Sequence, residues 1–93
     1  MKKSLLIDPG VQKQLRALPR NERAEVVLKL LELGEIFGQP HRHAGLGIRK
    51  LRGDLFECRV GLVRRVLFRA SSDALLIRFL GSHDEVQKYL RGN

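Results

Sequence analysis

The residues of this chain with the means to do chemistry lie mostly in its second half. Glu57 and Arg59 stand two apart in the run LFECRV, arginines recur at Arg64, Arg65 and Arg69, and Lys50 and Arg52 lie just upstream. His41, Arg42 and His43 precede this stretch, and His83 follows it. Cations at this density suit a polyanion. Cutting an RNA strand without a metal needs a group that takes the 2′-hydroxyl proton and a group that returns one to the leaving 5′-oxygen. It also needs cations facing the extra charge of the phosphorane. The arginines answer the last need. Glu57, His83, His41 and His43 are the candidates for proton transfer, with Asp84 and Lys50 behind them, and histidine titrates nearest neutral pH. On a strand, Glu57 and Arg59 point to one side, so a neighbour paired in register would set Arg65 or Arg69 beside them. The same residues also fit a cross-strand ion pair on an exposed face, and His83 fits a plain surface histidine in a first helical turn. His41-x-His43 has no carboxylate or thiolate nearby to complete a ligand set, so no metal site is expected. No cofactor is implied.

Net charge sharpens the polyanion reading. The chain carries +8 overall, and residues 45–70 hold seven basic side chains against Asp54 and Glu57, a local +5. Residues 71–93 balance three against three. A concentrated basic stripe is the electrostatic footprint of phosphate binding, although a solvated basic face or an acidic protein partner would draw on the same charges. With 93 residues and 43% hydrophobic content, one core and one domain spanning residues 1–93 are expected. A single cysteine, Cys58, makes neither a disulfide nor a zinc site by itself. The N-terminal apolar run ends at Asp8-Pro9, too short for a signal peptide, and nothing approaches the roughly 20 apolar residues of a membrane span. A soluble, cytoplasmic domain without a membrane partner is the expectation.

These groups need elements to hold them. Lys3–Ile7 reads as a strand tied into a later sheet. Asp8-Pro9 opens a short helix with Val11, Leu15 and Leu18 at helical spacing, ended by Pro19. A second helix is predicted over about Asn21 to Phe37, with an apolar stripe of Ala24, Val27, Leu28 and Leu31 widened by Val26, Leu30 and Leu33. Gly34 is expected to weaken its last turn, and Gly38 with Pro40 to end it. Residues 38–47 read as a loop. Short strands follow at Arg49–Arg52, Leu55–Val60 and Val63–Ala70, and the nearly all-apolar Ala74–Leu80 belongs in the middle of the sheet or beneath a helix. Phe56, Phe68, Phe79 and Tyr89 are placed in the core rather than against bases. Ser82-His83-Asp84-Glu85 fits a capping box opening a helix to about Leu90. The fold class is α+β: a leading strand and a two-helix hairpin on a small antiparallel sheet of about four strands, then a short C-terminal helix.

Lys50-Leu51-Arg52-Gly53-Asp54-Leu55-Phe56, then Arg59-Val60-Gly61, Arg65-Val66-Leu67-Phe68 and an apolar strand ending in Gly81, together resemble the RelE/ParE toxin superfamily. Its usual pattern is K-L-x-G, a strand ending R-V-G, then Y-R-V-x-Y. The resemblance covers nearly the whole chain and implies the toxin of a type II toxin–antitoxin pair. Many such toxins are metal-independent endoribonucleases that cut mRNA on the ribosome and inhibit translation, and an antitoxin, here expected to be acidic, silences them. By the resemblance, Arg59 and Arg65 match the family's arginines, and Lys50 and Arg52 its basic residues before the turn. His83 lies where YafQ-like members have a proton-transferring histidine. Glu57 is expected to share that proton work, while Arg64, Arg69 and His43 join Lys50 and Arg52 as RNA-binding candidates. The chain departs from the pattern at Gln87, where a tyrosine is common, and at Arg64, where an aromatic precedes the arginine. The same superfamily implies an alternative, a ParE-like DNA gyrase poison without catalysis. An inactive basic RNA-binding domain is the third reading.

Overall fold

Five strands and four helices build the domain, as a computed structural model describes residues 3–92, apart from the side chains of Pro40 and Ala44. β1 (Ser4–Ile7) leads to Asp8, whose carboxylate accepts the Gly10 N–H at 2.9 Å and starts α1 (Pro9–Ala17). Val11 and Leu15 are its buried residues. Pro19 then separates α1 from α2 (Arg20–Ile36).

The buried face of α2 differs from the expected stripe. Val26, Leu30, Leu33 and Ile36 pack inward, whereas Val27, Leu28 and Leu31 are 40%, 62% and 55% exposed. Apolar residues nearly surround this helix, so spacing alone admits more than one face, and the sheet it lies on selects among them. Gly34 is part of that selection. Its carbonyl accepts the Lys3 N–H at 2.9 Å, and a Cβ at this position would sit 3.2 Å from the Lys3 oxygen. It allows the helix backbone to approach β1, a role beyond weakening a last turn.

Residues 40–46 also depart from expectation. They form a short helix, α3 (Pro40–Leu46), where a loop was predicted. The turn before it is held by the Gly38 N–H, which donates to His43 Nε2 at 3.2 Å, and by the His43 ring stacked on Phe37 with centroids 5.0 Å apart. The Cys58 thiol donates to the Leu46 carbonyl at 3.3 Å and ties the end of α3 to the sheet.

β2 (Ile48–Arg52), β3 (Leu55–Val60), β4 (Arg64–Ala70) and β5 (Ala74–Ser82) run as an antiparallel meander. β1 joins it parallel to β5, with Ile7 opposite Ile77, giving the order β1-β5-β4-β3-β2. The sheet is therefore five-stranded and mixed, because the α1–α2 hairpin acts as the crossover that a parallel neighbour requires. β5 is an interior, largely apolar strand between β1 and β4, and β4 rather than β5 holds the middle place.

The two faces differ. On one, Cys58, Val60, Val66, Phe68, Leu75 and Ile77 pack beneath α1 and α2. On the other, Leu55, Leu67 and Phe79 meet Val86, Tyr89 and Leu90 of α4 (His83–Arg91), whose start is fixed by the Ser82–Glu85 capping box. Part of this second face carries charged rather than apolar side chains. Among the described residues, no helix is long and apolar enough to cross a membrane.

Candidate active site

Register decides which charged residues meet. Directly opposed side chains in a sheet share a face, and the pairs Arg49–Glu57 and Arg59–Arg65 place four charges together beside α4. They line a shallow cleft of about 320 Å³ with Gly47 and Ile48. Of Arg65 and Arg69, either of which was expected beside Glu57 and Arg59, the register places Arg65 there and sets Arg69 opposite Leu55. Arg49, absent from the sequence-based candidates, completes the group, and its position directly across from Glu57 is a register property that periodicity along one strand does not reveal.

Glu57 is the buried centre of the group. It is 2% exposed, and its Oε2 accepts from Arg65 Nη1 at 2.7 Å and from Arg49 Nη2 at 2.9 Å. Its Oε1 is buried without a hydrogen-bond partner. A carboxylate so enclosed orients guanidinium groups and is poorly placed to take a proton from a substrate, which departs from its expected share in proton transfer. Arg59 is different: exposed, with no hydrogen bond or ion pair from its guanidinium among the described residues. Its stem runs over Gly47, where a Cβ would come within 3.2 Å of both Arg59 Cβ and Nε, and where φ is +75°. Glycine meets both the left-handed backbone and the clearance that Arg59 needs.

His83 is exposed at the first position of α4, two residues beyond Gly81, the cross-strand partner of Arg65. Among the described residues its side chain makes no hydrogen bond or ion pair, so nothing in the ground state draws it into the cleft.

Other candidates separate from this group. Lys50 pairs with Phe56, which packs against the helix-side core, so register puts Lys50 on the opposite face from Glu57. Arg64 is held by Glu22 of α2 and serves the join between helix and sheet. Arg69 pairs with Asp54 at 2.5 Å, and Arg52 and Arg69 line a second cleft further along the sheet with Arg78 and Tyr89. His43 is spent on packing: burial, reinforced by the nearby His41 charge, pushes its pKa below the ordinary histidine value. Burial raises the Cys58 thiol to about 11, which leaves it a poor nucleophile. No group of three or more potential metal ligands occurs among the described residues.

No protein-family model and no curated protein matches the chain. Solved structures do. RelE in the RelE–RelB complex of Pyrococcus horikoshii is 25% identical over 88% of this chain and 96% of its own, with a TM-score of 0.68. A mutant of Escherichia coli toxin RelE in the free state is 22% identical, covering 97% of this chain and 93% of that one, with a TM-score of 0.73. The E. coli DinJ–YafQ toxin–antitoxin complex matches at 13% identity over 92% and 98%, with a TM-score of 0.58. The chain carries the fold of the RelE/YafQ-like toxin superfamily.

Proposed function

We propose that the chain is the toxin of a type II toxin–antitoxin pair and that it cuts mRNA on the ribosome, in the cytoplasm, without a metal. The observation that carries this reading is the directly opposed pair Arg59 and Arg65 on an uncovered part of the sheet, of which, among the described residues, Arg65 alone has a carboxylate partner. Two like charges set side by side repel, and an anion between them reverses the sign. A phosphodiester under attack gains charge at that position, so fixed cations favour the transition state over the ground state.

Glu57 supports the same chemistry indirectly. By holding Arg65 and Arg49 through one oxygen, it sets the cations before substrate arrives and spares reorganisation during the reaction. His83 is our candidate for one of the two proton transfers, since it is exposed, unbonded and close in sequence to the strand end that faces Arg65. The solved relatives include RelE bound to RelB and YafQ bound to DinJ, which supports an antitoxin partner. The +8 charge of this chain favours an acidic one.

Inducing the chain in cells and mapping mRNA 5′ ends tests the reading. Codon-phased cuts are expected, and Arg59→Ala and His83→Ala should remain folded while losing about a hundredfold in cleavage. DNA breaks dependent on gyrase, with intact message, would replace this reading by the gyrase poison. Neither effect would leave a binding domain without activity.

A further inference from the structure

Two irregularities in the sheet converge on one place. The register of β2 shifts between Lys50 and Arg52, and that of β4 against β5 shifts after Leu67, leaving Arg78 between the paired residues Ile77 and Phe79. Bulges re-aim side chains. Here the first turns Arg52 and the second turns Arg78 to the face beneath α4, where Arg69 already points by its pairing with Leu55. The three guanidinium-bearing side chains line a cleft of about 130 Å³ walled by Leu67 and Tyr89.

The charges in this cleft do not balance. Asp54 partners Arg69, so three cations against one carboxylate leave +2. Arg78 lies on β5, between β1 and β4, yet its side chain makes no ion pair and no hydrogen bond among the described residues. Its Nε is buried and unpartnered. A buried donor left unmade is costly, and converging like charges add to the cost. An oxyanion in the cleft would relieve both, because a guanidinium fork matches phosphate geometry.

We infer that Arg52, Arg69 and Arg78 form a phosphate-binding cradle, separate from the Arg59–Arg65 cleft, that holds a second phosphodiester of the same RNA strand. This rests on the RNA reading above. Arg65 and Arg69 are four positions apart on β4, about 13 Å at the rise of a strand. The two sites therefore engage different phosphates of an extended single strand and fix its direction across the sheet.

Binding of a non-cleavable 2′-O-methyl oligoribonucleotide to the full chain is the test, measured against salt for the wild type, Arg78→Gln, Arg52→Gln and Arg59→Gln. Losing one phosphate contact should lower affinity about fivefold near physiological salt and flatten the log–log salt slope by about 0.7. Arg78→Gln and Arg52→Gln should each show this, as should Arg59→Gln. If Arg59→Gln weakens binding while both cradle variants keep wild-type affinity and slope, the cradle is wrong and the RNA reading stands. Should the wild type bind no RNA, the RNA reading fails, and inorganic phosphate then tests the cradle by itself. Titrated phosphate should shift the Arg78 Nε–H resonance, identified by its disappearance in Arg78→Lys; an unmoved resonance overturns the cradle. Arg52 is exposed, so Arg52→Gln remains informative even if Arg78→Gln does not fold.

Discussion

One oxygen of Glu57 serves two guanidinium groups and the other serves none. That asymmetry separates orientation from proton transfer. Replacing the carboxylate by an amide keeps the shape and removes the charge, so Glu57→Gln leaves Arg49 and Arg65 without their anion. Breaking a fully buried pair costs about 3–5 kcal/mol. Water reaches Arg65 and Arg49, which are 25% and 61% exposed, and about 2 kcal/mol is the expected loss in denaturant unfolding. Cleavage should fall through misplacement of Arg65, with the shape of the pH–rate profile retained. A profile that lost one limb in Glu57→Gln would return Glu57 to the role of proton carrier.

At the scale of elements, α4 both covers part of the sheet and presents His83. Its first turn is closed by Ser82 Oγ, which accepts the Glu85 N–H at 3.1 Å, and by Glu85 Oε1, which accepts the Ser82 N–H at 2.8 Å. Ser82→Ala removes one of these, at about 1 kcal/mol, and loosens the turn that carries His83. A small fall in Tm with a larger fall in cleavage is expected; equal wild-type cleavage would detach His83 from the mechanism. The capping box was readable from Ser82 and Glu85 because it depends on spacing within one turn. Strand positions and the basic cluster were readable for the same reason. What escaped depends on contacts distant in sequence. The face α2 buries is chosen by the sheet, the close approach at Gly34 involves Lys3, and α3 is held by Phe37 and Cys58. Arg49 and Arg78 became visible only once register and bulges were known.

The sheet has its larger apolar core on the helix side and gathers Arg49, Arg52, Arg59, Arg65, Arg69 and Arg78 into two clefts on the other, and this grouping makes a prediction about salt. Neutralising phosphates releases condensed counterions, with a log–log slope of about −0.7 per phosphate for a single strand. The Arg59–Arg65 cleft alone would give a slope near that of one contact, about −0.7, whereas the two sites acting together should give about −1.4. Affinity for a single-stranded oligoribonucleotide, measured between about 50 and 300 mM salt, reads the slope directly. The fold supports more than one activity, so the slope alone does not establish cutting. It does decide whether the +8 charge acts as an organised surface. A slope near zero would mean that these arginines serve the fold or a protein partner, and the nucleic-acid reading of the open face would fall with it.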